Sequence, residues 1–198
     1  MRQHASSCRL ASLKVNNMPD TPREPPPLTL PLRSFLLDGV LQFTGQVCRL
    51  PGVLRIALIG SLTTPKLNPK DADVLVTVEP LMDLGDLARL GRQLKGRGQT
   101  RNSGADIFLA HPDPRYIGRI CSWRECRFGL RLSCRARHCG QREYLNDDLH
   151  VVKLDTPLLV RPPVELWPTV LTHQDLPADV TERLLRPLEE LQHRPAPP

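Results

Sequence analysis

The chain has 198 residues, including 21 prolines and 6 cysteines, and its formal net charge is +6. No stretch approaches the roughly 20 apolar residues that cross a bilayer, and the N-terminus lacks the apolar core of a secretory signal. These features exclude a membrane-embedded protein and predict a cytoplasmic one with no membrane partner. The positive charge favours an anionic partner such as a nucleotide or a nucleic acid.

Hydrophobic spacing predicts an alternation of helices and strands after a disordered, Pro-rich tail over residues 1–28. The predicted elements are a helix over 32–49, a buried strand over 53–59, a strand over 73–78, a helix over 83–94 and a strand over 105–110. This order predicts an α/β (α+β) fold with a mixed sheet that is flanked by helices. We assign residues 29–112 to this core.

The composition changes after His111-Pro112. Residues 113–150 hold four cysteines and eight arginines but no lysine, so we assign them to a small Cys/Arg-rich module. Residues 151–198 form a C-terminal extension with a disordered end. A strand is predicted over 150–155, and a helix over 176–191 that is kinked or interrupted at Pro187.

Acidic residues stand inside two of the predicted strands. Gly60-Ser61 follows the first strand, and after the spacer of residues 62–70 comes Asp71-Ala72-Asp73. Successive side chains of a strand point to opposite faces, so Asp71 and Asp73 share one face. The strand over 105–110 carries Asp106, which an adjacent position would bring beside them. Converging carboxylates need a bound cation, and Mg²⁺ prefers oxygen ligands.

These motifs resemble those of the nucleotidyltransferase superfamily, whose fold is shared with DNA polymerase beta and the small minimal nucleotidyltransferases. The family pattern is an apolar strand, Gly-Ser, a spacer, an acid–apolar–acid triplet and a later strand with a third acid. Here these parts are Arg55 to Ser61, Asp71 to Asp73 and Ala105-Asp106-Ile107. The resemblance covers roughly residues 30–112. It implies a nucleotidyltransferase-type mixed sheet, to which the Cys/Arg-rich module is added.

The resemblance also implies an activity, which is transfer of a nucleoside monophosphate from a nucleoside triphosphate to an acceptor hydroxyl, with release of pyrophosphate. Asp71 and Asp73 would be shared ligands of two Mg²⁺ (or Mn²⁺) ions, and Asp106 would help to activate the acceptor. The acceptor would be RNA, a protein or a small molecule, and the sequence identifies neither it nor the preferred nucleotide.

The nucleotide's phosphates would lie at the turn after the first strand. Gly60 lets the main chain approach closely, and Ser61 would contact the β- and γ-phosphates. Lys66, in the spacer, is a further candidate for the triphosphate, although a solvated surface lysine is the competing interpretation. Pro65 and Pro69 depart from the family pattern, because they leave little room for the helix that usually follows Gly-Ser.

Four cysteines lie close together in the Cys/Arg-rich segment. They are Cys121, Cys126, Cys134 and Cys139. Their paired spacing predicts a structural Zn²⁺ site with tetrahedral geometry, in which His138 is an alternative ligand. Buried thiols without a metal are the competing interpretation.

Arginines and aromatic residues are interleaved around these thiols. Guanidinium groups bind phosphate and aromatic rings stack on unpaired bases, which indicates a nucleic-acid acceptor such as an RNA end. Acidic residues in the same segment offer the arginines alternative partners. A second function class is therefore kept open, which is an inactive nucleotidyltransferase-fold zinc protein that binds nucleic acid or a protein partner.

Overall fold

The computed structural model describes residues 31–113, 115–122, 126, 142–146 and 161–193, which form helices and strands. In chain order the elements are α1 (Leu32–Val47), β1 (Val53–Ile59), a 3₁₀ turn (Gly60–Thr63), β2 (Asp71–Val78), α2 (Gly85–Gln99), β3 (Gly104–Ala110), β4 (Tyr116–Ile120), β5 (Leu145–Asn146), β6 (Val164–Trp167), α3 (Ala178–Val180), a π turn (Thr181–Leu185) and α4 (Arg186–His193). The two tails and the strand predicted over 150–155 lie outside the described residues.

The six described strands form one mixed sheet in the order β5-β4-β3-β2-β1-β6. Strands β2 and β3 are parallel, and α2 connects them. The other neighbouring pairs are antiparallel. A parallel pair needs a crossover connection, which α2 supplies. The prediction of an α/β domain with a mixed sheet and helices is confirmed.

One face of this sheet packs against the helices and forms the core. In β2 the side chains of Ala72, Val74 and Val76 are buried, whereas the residues between them are more exposed. Buried side chains from α1, α2 and the C-terminal helical segment join the same apolar cluster. The alternation of β2 therefore leaves Asp71 and Asp73 on the opposite face, which we call the acid face.

The sheet continues beyond residue 112, into the segment that the sequence assigned to the Cys/Arg-rich module. Strand β4 pairs with β3, and the two-residue strand β5 pairs with β4. Gly118 in β4 has a φ of +134°, and the register between β3 and β4 shifts near this glycine. Such short, irregular strands lack the regular alternation of apolar and polar residues from which a strand is predicted.

The helix predicted over 176–191 is present as a continuous helical segment over residues 178–193. Its irregular part is the π turn, which ends two residues before Pro187. Proline has no amide hydrogen to donate to the preceding turn, so a helix loosens on the N-terminal side of a proline. None of the helices in the described residues is both long and apolar enough to cross a membrane.

Arg33 fixes the start of α1 against the turn that follows β1. Its side chain is buried, and it donates hydrogen bonds to the carbonyl oxygens of Leu62 at 2.8 Å and Lys66 at 3.1 Å. The same guanidinium forms an ion pair with Asp179 in α3. Arg33 therefore links the start of α1 and the C-terminal helix α3 to the 3₁₀ turn after β1.

Candidate active site

The acid face brings the two predicted acidic motifs together. Asp73 of β2 lies directly opposite Asp106 of β3 in the parallel register. On its other side Asp73 pairs with Ile59, the last residue of β1, so the Gly60-Ser61 turn begins next to it. Asp71 lies two residues before Asp73 on the same face and is exposed. Asp71, Asp73 and Asp106 thus lie on one face of the sheet, at the end where β1 ends and where β2 and β3 begin.

Asp73 has the most perturbed environment of the three acids. Burial, followed by the charges of Asp106 and Asp71, raises the pKa of the Asp73 carboxyl to about 7, while the Arg119 guanidinium opposes the shift. Like charges that share one site disfavour ionisation, as does removal from water. A cation bound nearby would oppose both effects and favour the ionised Asp73 carboxylate.

Two glycines allow the main chain to approach the carboxylates. A Cβ atom on Gly60 would lie 2.2 Å from Oδ2 of Asp73, and Gly60 has a φ of +72°. A Cβ atom on Gly104 would lie 2.4 Å from Oδ1 of Asp71. Real Cβ atoms do not approach an oxygen so closely, so a side chain at either position would displace the carboxyl group that it meets, and at Gly60 the positive φ adds backbone strain. The acids consequently lie against bare backbone, which is the kind of surface that close binding of a phosphate requires.

The predicted phosphate-binding residues lie on the turn after β1. Gly60 and Ser61 open the 3₁₀ turn, and the carbonyl oxygen of Ser61 accepts hydrogen bonds from the amide and hydroxyl of Thr64. A short 3₁₀ turn takes the place of a longer helix because Pro65 follows immediately. Lys66 is exposed on the loop, and its backbone carbonyl is fixed by Arg33. Gly60 and Ser61 are thus close to the acids, whereas Lys66 extends from the loop into solvent.

Asp106 has two cationic partners that the sequence did not place at the site. Nη1 of Arg119, on β4, lies 3.1 Å from Oδ2 of Asp106. Nζ of Lys95, on α2, lies 3.8 Å from Oδ1. The Arg119 guanidinium also lies over the Phe108 ring, 5.9 Å from its centroid. All three charged side chains are about one-quarter to one-third exposed.

The carboxylates fit a hard divalent cation in donor type and in strand arrangement. Mg²⁺ takes carboxylate oxygens together with water and substrate phosphates, and Asp71, Asp73 and Asp106 present such oxygens on one face of the sheet. As the side chains stand, the described residues contain no group of three or more His, Cys, Asp or Glu that could hold a metal ion. Asp106 would therefore have to leave Lys95 and Arg119 before it could bind a metal ion together with Asp71 and Asp73.

Two of the four clustered cysteines belong to the described residues. Cys121 and Cys126 are both buried, and both contact the backbone of Tyr144. The Cys121 amide donates to the Tyr144 carbonyl at 2.8 Å, and the Tyr144 amide donates to the Cys126 sulfur at 3.3 Å. The shared contact brings these two cysteines to the edge of β4 and β5. Cys134, Cys139 and His138 lie outside the described residues.

The zinc hypothesis predicts about one Zn²⁺ per chain in protein that is purified without a chelator. We expect Cys126→Ser to lose this zinc, because three thiolates hold the ion less tightly than four. Cys48→Ser is the matched control, since Cys48 lies at the end of α1 and is not one of the four clustered cysteines. Elemental analysis measures the metal. Protein that contains no zinc, or a Cys126→Ser variant that keeps all of it, would contradict the hypothesis.

No family model matches the chain, and searches of curated proteins and of solved structures find no match either. The geometry of the acid face and the sequence motifs are therefore the features that point to a function.

Proposed function

We propose that the protein is a magnesium-dependent nucleotidyltransferase, which moves a nucleoside monophosphate from a nucleoside triphosphate to an acceptor hydroxyl and releases pyrophosphate. The observation that carries this proposal is the row formed by the Gly60 turn, Asp73 and Asp106 on three neighbouring strands. Nucleotidyl transfer depends on holding anionic groups in line and on stabilising their charge. Divalent cations held by this row of acids, beside the glycine turn, would supply both.

Asp71, Asp73 and Asp106 are the residues that would hold Mg²⁺ or Mn²⁺. When bound, these ions neutralise charge on the phosphates and make the acceptor hydroxyl more acidic. The raised pKa of Asp73 supports this assignment, because a carboxylate that is penalised by burial and by neighbouring negative charges gains most from a nearby cation. The raised pKa also fits a group at a functional site.

The residues of the chain would bind and orient the two substrates and accept the proton of the acceptor hydroxyl. The backbone at Gly60 and the Ser61 side chain would hold the β- and γ-phosphates, and Lys66 would pair with them from the loop. The acceptor oxygen forms a bond to the α-phosphorus, while the bond from that phosphorus to the pyrophosphate oxygen breaks. The hydroxyl proton passes to the Asp106 carboxylate and from there to water.

Label transfer from α-labelled nucleoside triphosphates tests the proposal. Each triphosphate is incubated with the protein and Mg²⁺ or Mn²⁺, with total RNA and cell lysate as acceptors. We expect label on RNA, protein or a small molecule with the natural chain, and none with a variant that combines Asp71→Asn and Asp73→Asn. No transfer by folded protein under any of these conditions would contradict the proposal, as would undiminished transfer by the double variant.

A second candidate function is favoured by the ion pairs of Asp106. Because Arg119 and Lys95 already neutralise this carboxylate, an inactive protein with the same fold would be stable without a metal ion. Such a protein would bind nucleic acid or a protein partner and would transfer nothing. The label-transfer experiment separates the two candidates, since only the enzyme produces labelled acceptor.

We also propose a cellular location and a structural metal ion for the protein. We propose that the protein acts in the cytoplasm, where thiols stay reduced and are available to metal ions. The Zn²⁺ at the cysteine cluster would stabilise the segment that follows β4, because a bound metal can substitute for a hydrophobic core. Fractionation of cells and the elemental analysis described above test these two points.

A further inference from the structure

The acid face has two chemically different ends. At the β1 end the Gly60 turn presents bare backbone next to Asp73. At the β4 end two cations, Arg119 and Lys95, converge on Asp106. A transfer reaction needs two substrates on this face, one on each side of the acids. If the triphosphate takes the glycine end, then the acceptor lies at the cationic end.

We infer that the acceptor carries a phosphate group, which Arg119 and Lys95 bind next to its reacting hydroxyl. This inference rests on the proposed nucleotidyltransferase function and names the class of its second substrate. A neutral acceptor would gain nothing from two positive charges beside the acid that receives its proton. A phosphate is an anion that a guanidinium fork and an ammonium group bind well.

The side chains of Arg119 and Lys95 are already oriented by contacts within the protein before an anion binds. Arg119 is oriented from two directions, by Asp106 and by the ring of Phe108. A guanidinium that is fixed on an aromatic ring loses less freedom when it binds a phosphate. The Lys95 ammonium is close to the hydroxyl of Ser122 at 3.5 Å as well as to Asp106. Both side chains are partly exposed, so a ligand can reach them.

Asp106 acts as the counter-ion of this pair in the metal-free protein. A divalent cation held by Asp106 would offset part of the negative charge that faces Arg119 and Lys95. Two cations next to a metal ion repel it and each other, unless another anion enters. Binding of the metal and of a phosphate-bearing acceptor should therefore strengthen one another, which is a coupling that a neutral acceptor would not show.

Binding measurements on single variants test the inference without relying on turnover. The probes are a short fluorescent single-stranded RNA with a free terminal hydroxyl, followed by anisotropy, and ribose phosphate, followed by calorimetry. Unphosphorylated ribose is the control for the second probe. The two arms distinguish a polynucleotide acceptor from a small phosphomonoester. A non-hydrolysable nucleoside triphosphate with Mg²⁺ is titrated in parallel to report on the other substrate.

The variants are Arg119→Gln, Lys95→Gln and the rescue variant Arg119→Lys. Arg89→Gln is the matched control, because Arg89 is an exposed residue of α2 that pairs with Asp86. We expect Arg119→Gln to weaken the phosphate-bearing probe on the order of tenfold. Arg119→Lys should restore part of the affinity, and the control should match the natural chain. For RNA, the slope of log affinity against log salt should also fall in magnitude by about 1.

The triphosphate titration separates this inference from the proposed function. We expect its affinity to change less than about twofold in Arg119→Gln, since the two substrates occupy opposite ends of the acid row. Natural protein that binds the triphosphate but neither phosphate-bearing probe would overturn the inference and leave the proposed function standing. An equal loss of triphosphate and probe affinity would also overturn it, because the cations would then serve the nucleotide. Protein that binds none of the ligands would contradict both proposals.

Discussion

Asp73→Asn should abolish Mg²⁺-dependent nucleotidyl transfer while leaving the protein folded. Asn has the size of Asp but lacks the negative charge, and Asp73 is the acid that lies between the Gly60 turn and Asp106. Loss of several kcal/mol of charge stabilisation in the transition state lowers the rate by about 10³-fold or more. The rate of label transfer at saturating triphosphate measures the effect.

The control for this substitution is Asp86→Asn. Asp86 is an exposed acid in the first turn of α2 that pairs with Arg89, away from the acid face. We expect this variant to keep the transfer rate within about twofold, because surface changes away from the site have small effects. Transfer by a folded Asp73→Asn variant at the natural rate would remove Asp73 from the mechanism.

The stability of the Asp73→Asn variant offers a second readout that does not need a substrate. The folded-state pKa of Asp73 is about 7, above the ordinary value of 3.8 for an aspartate. Between these two values the folded chain holds a proton that the unfolded chain has released, so the free energy of unfolding falls as pH rises from about 4 to about 7. The total loss is at most about 4 kcal/mol. Denaturant unfolding without metal should show this loss in the natural chain, and much less of it in Asp73→Asn.

Gly60→Ala should remove both the activity and part of the stability. Gly60 has a φ of +72°, and a Cβ atom there would lie 2.2 Å from Oδ2 of Asp73. The left-handed backbone alone costs an alanine roughly 1–2 kcal/mol, and the collision pushes the carboxylate away from its place. We expect a decrease of about 2 kcal/mol or more in the free energy of unfolding, together with loss of label transfer.

The matched control for Gly60→Ala is Gly45→Ala in α1. A Cβ atom on Gly45 would have no heavy atom within 4 Å, and the backbone there is helical. Alanine is the better helix former by about 0.8–1.0 kcal/mol, so this variant should be at least as stable as the natural chain and fully active. A Gly60→Ala variant that behaves like the Gly45→Ala variant would contradict the assignment of the turn to the site.

The acid face could be anticipated from the sequence because it follows local rules. The alternation of β2 puts Asp71 and Asp73 on one face, and the β2–α2–β3 order favours a parallel partner for β2. These two facts place Asp106 near Asp73 without any knowledge of side-chain contacts. The sequence predicts that Gly60 lets the main chain approach a phosphate. In the structure the group that lies against Gly60 is the Asp73 carboxylate, and the phosphate contact stays a prediction.

Other parts of the site depend on contacts between distant parts of the chain. Arg119 and Lys95 belong to β4 and α2, and only the packing of these elements beside β3 brings them to Asp106. Strand β4 itself was missed, because it is short and is distorted at Gly118. Arg33 had no visible role either, since its partners in the 3₁₀ turn, the following loop and α3 come together only in the folded chain. Periodicity cannot encode such pairings.

The most direct test of the account is a titration with Mn²⁺ that is followed by electron paramagnetic resonance, in the presence of a non-hydrolysable nucleoside triphosphate. In the proposed function, Asp71, Asp73 and Asp106 form the divalent-cation site at which nucleotidyl transfer takes place. We predict that the natural chain removes Mn²⁺ from solution, and that the variant with both Asp71→Asn and Asp73→Asn does not. A natural chain that leaves all Mn²⁺ free, or a double variant that binds it equally well, would contradict the claim.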